Sequence, residues 1–393
     1  MQNRNSSPNG FTHRNRAEPV KGGKHFFNLL LKLFEGAKRS IHIQTYAFDD
    51  DETGTMVAEA LMAAAARKID IYILADGFAS QGLSKDFIQK LKDAGIQFRY
   101  FEPLLRSKYF YLGRRLHHKI VVVDSCKAVV GSMNIADRYN DINNERSWLD
   151  TALYVEGEAA IQLQEVCWQL WLKKRSRKNL PTDQAALDFA KSIPENEGVA
   201  IRVRQNDWVM QKIQISRTYH LLFGHAEDHI YIMCSYFLPG KRLLRRLRTA
   251  ARRGVKVHVV LAGVSDVKSA KNAERYLYRW LLRNKMNVYE YQPTVLHAKM
   301  TMVDGQRFTV GSYNLNGLSA QASIELNLDV ENEKLATTIE EQVKKIIKED
   351  CVPVDRETYV NNIFRPRQFL NWLSYQFMNM MLMLTTFYYR QRE

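Results

Sequence analysis

A chain of 393 residues is too long for one ordinary core and suits two domains. Its formal net charge of +15 and pI near 9.5 call for an anionic partner, either nucleic acid or an anionic membrane. Four scattered cysteines, Cys126, Cys167, Cys234 and Cys351, lack Cys-x-x-Cys spacing, which speaks against a zinc site or a disulfide framework and for reduced thiols.

Residues 1–24 are polar, rich in Asn, Arg, Gly and Ser, and without the apolar centre of a signal peptide; a loose tail is expected. From His25 to Ala37 the spacing of Phe26, Phe27, Leu30, Leu33 and Phe34 predicts an amphipathic helix, and Ser40 to Phe48 alternates as a strand. An Ala-rich helix from Ala58 to Arg67 and a strand from Ile69 to Leu74 complete a β-α-β unit. The expectation is a mixed sheet covered by helices. The stretch Arg106 to Arg115 (RSKYFYLGRR) is basic and aromatic, a candidate membrane contact.

Next comes His117-His118-Lys119-Ile120-Val121-Val122-Val123-Asp124, followed by Gly131-Ser132-Met133-Asn134. The apolar run between Lys119 and Asp124 reads as a buried strand, so His and Lys, two apart, share one face of it. Asp124 starts a turn, and Ala128-Val129-Val130 returns beside the first strand to deliver Ser132 and Asn134. Lys173 to Ala200, with its charge run, two prolines and Glu195-Asn196-Glu197-Gly198, reads as a connection.

The second half repeats the first. His229 to Leu238 reads as a strand, Leu243 to Arg253 as a helix and Val255 to Leu261 as a strand, with Arg67–Ile73 lying over Arg253–Val259 at an offset of 186. His297-Ala298-Lys299-Met300-Thr301-Met302-Val303-Asp304, then Gly311-Ser312-Tyr313-Asn314, repeats six identities at the same spacing, 180 residues on. One copy by chance has a probability of about 10⁻⁸ per starting position. Together the copies offer two imidazoles facing one anion held by Lys119, Lys299, Asn134 and Asn314, with Ser132 and Ser312 beside them as substrate-binding candidates. That set suits displacement at a phosphodiester, which needs a nucleophile, an acid and cations on the equatorial oxygens. No cluster of acidic or Cys ligands implies a metal. Asp124 and Asp304 read as turn formers that hold strand geometry. Aligning the strands that follow each copy places Asp150 over Glu325, carboxylates suited to orienting a His; Glu145 competes with Asp150, which fits the strand pattern better.

These residues carry a resemblance. The signature His-x-Lys-x₄-Asp, intact at His117, Lys119 and Asp124 and again at His297, Lys299 and Asp304, resembles that of the phospholipase D superfamily. The resemblance implies two similar phospholipase D-like α/β halves, each a mixed sheet flanked by helices, related by a pseudo-twofold with the active site between them. It also implies a phosphohistidine intermediate without metal or cofactor, with His117 as nucleophile and His297 as acid. Tyr46-Ala47-Phe48, Phe101-Glu102-Pro103-Leu104, Trp148-Leu149-Asp150-Thr151, Ser265-Asp266-Val267 and Tyr289-Glu290-Tyr291-Gln292-Pro293 further resemble bacterial cardiolipin synthases. Two departures are Asn316, where Asn-Leu-Asp is usual, and the missing pair of amino-terminal membrane helices found in some of them.

That family transfers a phosphatidyl group between two phosphatidylglycerols and releases glycerol; the rival readings are phosphatidylserine synthase, hydrolytic phospholipase D, nuclease and a non-catalytic scaffold. No nucleic acid partner is expected under it, and the oligomeric state stays open. Membrane access then falls to Gln368–Tyr389, 22 residues without a charge, flanked by Arg365, Arg367, Arg390 and Arg392. Its length permits a span, but Asn371, Ser374, Gln376 and Asn379 favour a helix in the interface of an anionic phospholipid membrane. The expected location is the cytoplasmic side of a bacterial cell membrane. The expected organisation is a tail over 1–24, a first domain over 25–178, a linker over 179–200, a second domain over 201–350 and a membrane-associated segment over 351–393.

Overall fold

The computed structural model describes residues 10–103, 114–142, 144–174, 176, 179–361 and 366–390. In the first half, strands β1 (Asn15–Lys21), β2 (Ser40–Thr45), β3 (Asp70–Asp76), β4 (Gln97–Phe101), β5 (Ile120–Val123), β6 (Lys127–Gly131) and β7 (Thr151–Gly157) form one sheet in the order β1-β7-β6-β5-β2-β3-β4. Helices α1 (Lys24–Glu35), α2 (Glu52–Ala66), α3 (Lys85–Asp93), α4 (Glu158–Trp171) and α5 (Gln184–Ser192) accompany it. The second half adds β8 (Ala200–Asp207), β9 (Lys212–Ile213), β10 (His229–Cys234), β11 (Lys256–Val264), β12 (Asn287–Val295), β13 (Lys299–Val303), β14 (Arg307–Gly311), β15 (Glu325–Glu331) and β16 (Cys351–Pro353). Its sheet runs β16-β12-β11-β10-β13-β14-β15-β8-β9. Helices α6 (Gln214–His225), α7 (Lys241–Arg252), α8 (Lys268–Arg283), α9 (Gly317–Gln321), α10 (Glu333–Asp350) and α11 (Pro366–Arg390) complete the chain.

Strand for strand, β4-β3-β2-β5-β6-β7-β1 corresponds to β12-β11-β10-β13-β14-β15-β8, and the pairing directions agree: the trios β4-β3-β2 and β12-β11-β10 are parallel and the other pairs antiparallel. The sheets pack face to face. Alternation in β5 sends Val121 and Val123 to the core under α1 and α2, and Ile120 and Val122 to a core shared with Met300, Met302, Phe308 and Leu328 of the other half. A run buried on both faces is what an uninterrupted apolar strand predicts.

Three expectations about organisation change. The later part of the tail holds a strand, because β1 pairs with β7 from Asn15↔Gly157 to Lys21↔Thr151 and stands where β8 stands in the other half. At this sheet edge Pro19 costs no ladder bond on the open side, so a polar, Pro-bearing sequence still serves as a strand. The linker holds α5, capped by Asp183, whose side chain accepts from the Ala186 amide. The second domain runs past 350, since β16 pairs with β12. Most of the basic aromatic stretch, residues 106–113, lies outside the described residues.

Candidate active site

The two halves exchange backbone at the site. His117 N–H donates to Ile324 O at 3.0 Å and His297 N–H to Leu149 O at 2.8 Å, within the bridges Leu116↔Ile324 and Leu149↔Leu296. Each signature therefore lies against the strand entrance of the opposite half, and the carboxylate at that entrance reaches it. His117 Nδ1 is 2.9 Å from Glu325 Oε2, and His297 Nδ1 is 2.7 Å from Asp150 Oδ2. The pairs are crossed: the carboxylate following each copy serves the other copy's histidine. Glu145, the competitor, is exposed.

Ser132 and Ser312, expected to face substrate, instead donate to Asp150 and Glu325, and the Thr151 amide adds a bond to Asp150 at 2.7 Å. The glycine before each serine allows this. A Cβ on Gly131 or Gly311 would collide with Thr151 O or Leu326 O of the strand bearing the carboxylate. Fixing Nδ1 in this way leaves Nε2 of each ring for chemistry.

Both lysines are buried beside the rings. Lys119 Nζ donates to His117 O at 2.9 Å and lies 4.9 Å from the Tyr46 ring centroid; Lys299 Nζ donates to His297 O at 2.6 Å and Ser235 Oγ at 3.1 Å, and is 3.2 Å from His297 Nε2. Burial pushes Lys119 well below the ordinary lysine value and lowers Lys299 too. It also lowers His117, against the pull of Glu325, and takes His297 down to about 4, helped by the charge on Lys299. Burial pushes Asp150 up, but His297, Lys299 and Ser132 outweigh it and hold it below the usual carboxylate range. The site without an anion thus favours neutral imidazoles and is poised to accept negative charge.

The amides differ. Asn134 is engaged structurally, accepting from Ala47 N–H at 3.1 Å and donating to the Tyr139 hydroxyl at 2.9 Å, whereas Asn314 Oδ1 is buried with no partner among the described residues. Asp124 accepts from the amides of Lys38, Arg39 and Ser40, and Asp304 from those of Glu227, Asp228 and His229, at the strand ends away from the lysines. Both sit in left-handed turns, φ 50° and 54°. Among the described residues no three His, Cys, Asp or Glu side chains gather as a metal-binding group.

Four aromatic residues were given no site role from the sequence, although Tyr46 and Trp148 stand in the stretches that carry the family resemblance. Tyr46 stands edge-on to His117 with centroids 4.9 Å apart, Tyr139 edge-on to His297 at 5.1 Å, and Trp148 is 5.9 Å from His297. Tyr236 donates to Asp266. Tyr46 and Tyr236 each follow the strand beside a signature strand, β2 or β10, and that repeated position was the available signal.

With the geometry in place, the family model for "cardiolipin synthase, phospholipase D-like domain" matches residues 30–171 and 219–347. The chain belongs to that family. The two matched segments hold His117 and His297 respectively. Relatives of this cardiolipin synthase family member include cardiolipin synthase B of Salmonella typhi, 32% identical over 359 residues, spanning 88% of this chain and 84% of the relative. Cardiolipin synthase B of Escherichia coli K12 is 29% identical over 354 residues, spanning 87% and 82%. Among solved structures, the phosphatidylserine synthase of Haemophilus influenzae aligns over 93% of each chain with a TM-score of 0.70 at 14% identity. A polyphosphate kinase of Porphyromonas gingivalis aligns over 94% of this chain and 53% of its own with a TM-score of 0.59 at 13% identity. At these identities the likeness is one of fold, two mixed sheets flanked by helices.

Proposed function

We propose that the chain is a cardiolipin synthase that moves a phosphatidyl group from one phosphatidylglycerol to a hydroxyl of another and releases glycerol. The observation that carries this reading is the crossed pairing of His117 with Glu325 and His297 with Asp150, which supplies a nucleophile and an acid to one anionic centre. The names of the relatives supply the substrate class.

His117 Nε2 attacks the donor phosphorus, and the phosphorus–oxygen bond to glycerol breaks as protonated His297 gives its proton to the leaving oxygen. Neutral His297 then takes the proton from the acceptor hydroxyl, whose oxygen displaces His117. Lys119 and Lys299, with the Asn314 Nδ2 N–H as a further donor, hold the phosphoryl oxygens while charge builds there. The substrate's own negative charge favours the proton on His297 that burial alone disfavours.

The membrane is reached through α11. Tyr375 and Met378 pack on the second-half core, with the Tyr375 and Tyr276 rings 4.8 Å apart, while Phe369, Leu370, Trp372, Leu373 and Phe377 are exposed. Among the described residues no helix is long and apolar enough to cross a membrane. An apolar face on a docked helix fits peripheral attachment at the cytoplasmic surface of the cell membrane, and gives a nuclease nothing. Expression in a bacterial host lacking its own cardiolipin tests the proposal. Cardiolipin should appear in the lipid extract, and not with His117→Ala; an extract without it from well-expressed parent protein overturns the reading.

A further inference from the structure

Behind the strand entrance that carries Asp150 lies a cavity of about 390 Å³ that the reaction does not use. Its wall toward the site is Trp148, Leu149 and Asp150, whose other side meets His297. The floor is apolar and drawn from both halves: Leu153 against Met233, Met300, Phe308, Val310 and Val343. At the mouth, Lys21, Arg146 and Lys345 stand among Asp141, Glu349 and Asp350, with Arg146 and Asp350 paired at 3.2 Å across the halves. Tyr291 lines the cavity too. It is fully buried, with the Arg146 guanidinium 6.0 Å from its ring centroid.

We propose that this cavity holds one aliphatic chain of an amphiphile, separate from the reacting lipid, and that its occupant bears on His297 through Asp150. The volume accommodates about a dozen methylene groups, each taking roughly the ~30 Å³ of a liquid water. An apolar floor of this kind is poor at holding water and good at holding hydrocarbon. The three cations and three carboxylates at the mouth balance. Selection therefore falls on the chain rather than on the charge of the head.

The full-length protein is titrated with radiolabelled laurate, a fatty acid whose chain length matches the cavity. Saturable one-to-one binding is expected, and it should persist in His117→Ala, which alters the reaction cleft alone. Ile346→Trp, near the mouth, and Val343→Phe, on the floor, should each weaken binding about tenfold or more by filling the cavity. Thermal midpoints establish that both variants are folded. Unlabelled laurate and dodecylphosphocholine as competitors distinguish a free fatty acid from a chain on a zwitterionic head. A folded pair of variants that binds the probe like the parent overturns the site. The second readout is the ring Cε1–H resonance of His297, assigned by its loss in His297→Ala. It should move on saturation with laurate in the parent and stay still in Ile346→Trp; no movement in the parent overturns the link to His297.

Discussion

Replacing Asp150 by Asn removes the charge beside His297 and leaves the shape. With His297 at about 4 even beside Asp150, placing a proton on it at pH 7 takes about 4 kcal/mol, which the substrate anion must offset, and the cost grows when the carboxylate is lost. In Ser–His–Asp hydrolases the same carboxylate-to-amide change costs about 10⁴ in kcat, or about 5 kcal/mol. A loss of about 10³–10⁴ in kcat is expected here, with KM little changed. Because the variant lowers the affinity of His297 for its proton, the alkaline limb of the pH–rate profile should move to lower pH. Glu325→Gln, acting on His117, should instead move the acid limb to lower pH, since a nucleophile that binds its proton less well is free at lower pH. A phosphodiester with a nitrophenol leaving group needs no acid in the first step, so the burst of nitrophenol should survive Asp150→Asn and fail in Glu325→Gln. If Asp150→Asn moved the acid limb, or abolished that burst as fully as the turnover of phosphatidylglycerol, the crossed roles would be wrong.

Asp124→Ala and Asp304→Ala each strip a carboxylate from three backbone N–H groups, and each should lose about 3 kcal/mol in denaturant unfolding; parent-like stability with no activity would contradict a structural role. Asn314→Ala should lower kcat about 10²–10³-fold and leave the unfolding midpoint in place, which steady-state kinetics and calorimetry check together. His42 and His118, both buried and pushed by burial down to about 3, bind a proton near 6.5 only when unfolded, so the unfolded chain takes up protons first and stability falls as pH falls. Each should account for about 2 kcal/mol lost between pH 6.5 and pH 5, and His42→Gln should flatten that slope in thermal melts. Deleting residues 368–393 should release most of the protein from anionic vesicles in a flotation assay while sparing turnover of a short-chain soluble substrate; equal binding by the truncated chain would move the anchor elsewhere.

The repeated signature was legible because His, Lys, Asp, Gly, Ser and Asn recur in register, and the β5 and β13 strands followed from the runs Ile120–Val123 and Met300–Val303, buried throughout and interrupted only by Thr301. Asp150 and Glu325 were legible as a pair from the strands they precede. Their crossing was not, since it depends on Leu116 bridging Ile324 and Leu149 bridging Leu296, contacts between segments about 150 to 200 residues apart that no local pattern encodes. Ser132 and Ser312 were misplaced for another reason: their spacing puts them near the histidines, but their bonds go to the carboxylates on the next strand of their own halves. β1 stayed hidden because an edge strand tolerates Arg16, Glu18 and Pro19, and because only Asn15 and Val20 are buried in it, Asn15 through bonds to Thr12, Val199 and Ala159.

Crossing also predicts that neither half works by itself. Separated, each half keeps a histidine without its carboxylate and a carboxylate buried without its histidine, the most costly way to leave a charge. Joined, the pair is symmetric in its Nδ1 contacts and asymmetric in its Nε2 surroundings. His297 Nε2 has the Tyr139 hydroxyl at 3.4 Å and Lys299 Nζ at 3.2 Å, neighbours suited to a ring that gives and takes protons. No hydrogen bond engages His117 Nε2 among the described residues, and Tyr46 stands edge-on to the ring. A nitrogen that must form a bond to phosphorus needs that open approach, which is the physical ground for giving His117 the nucleophile's part and His297 the acid's.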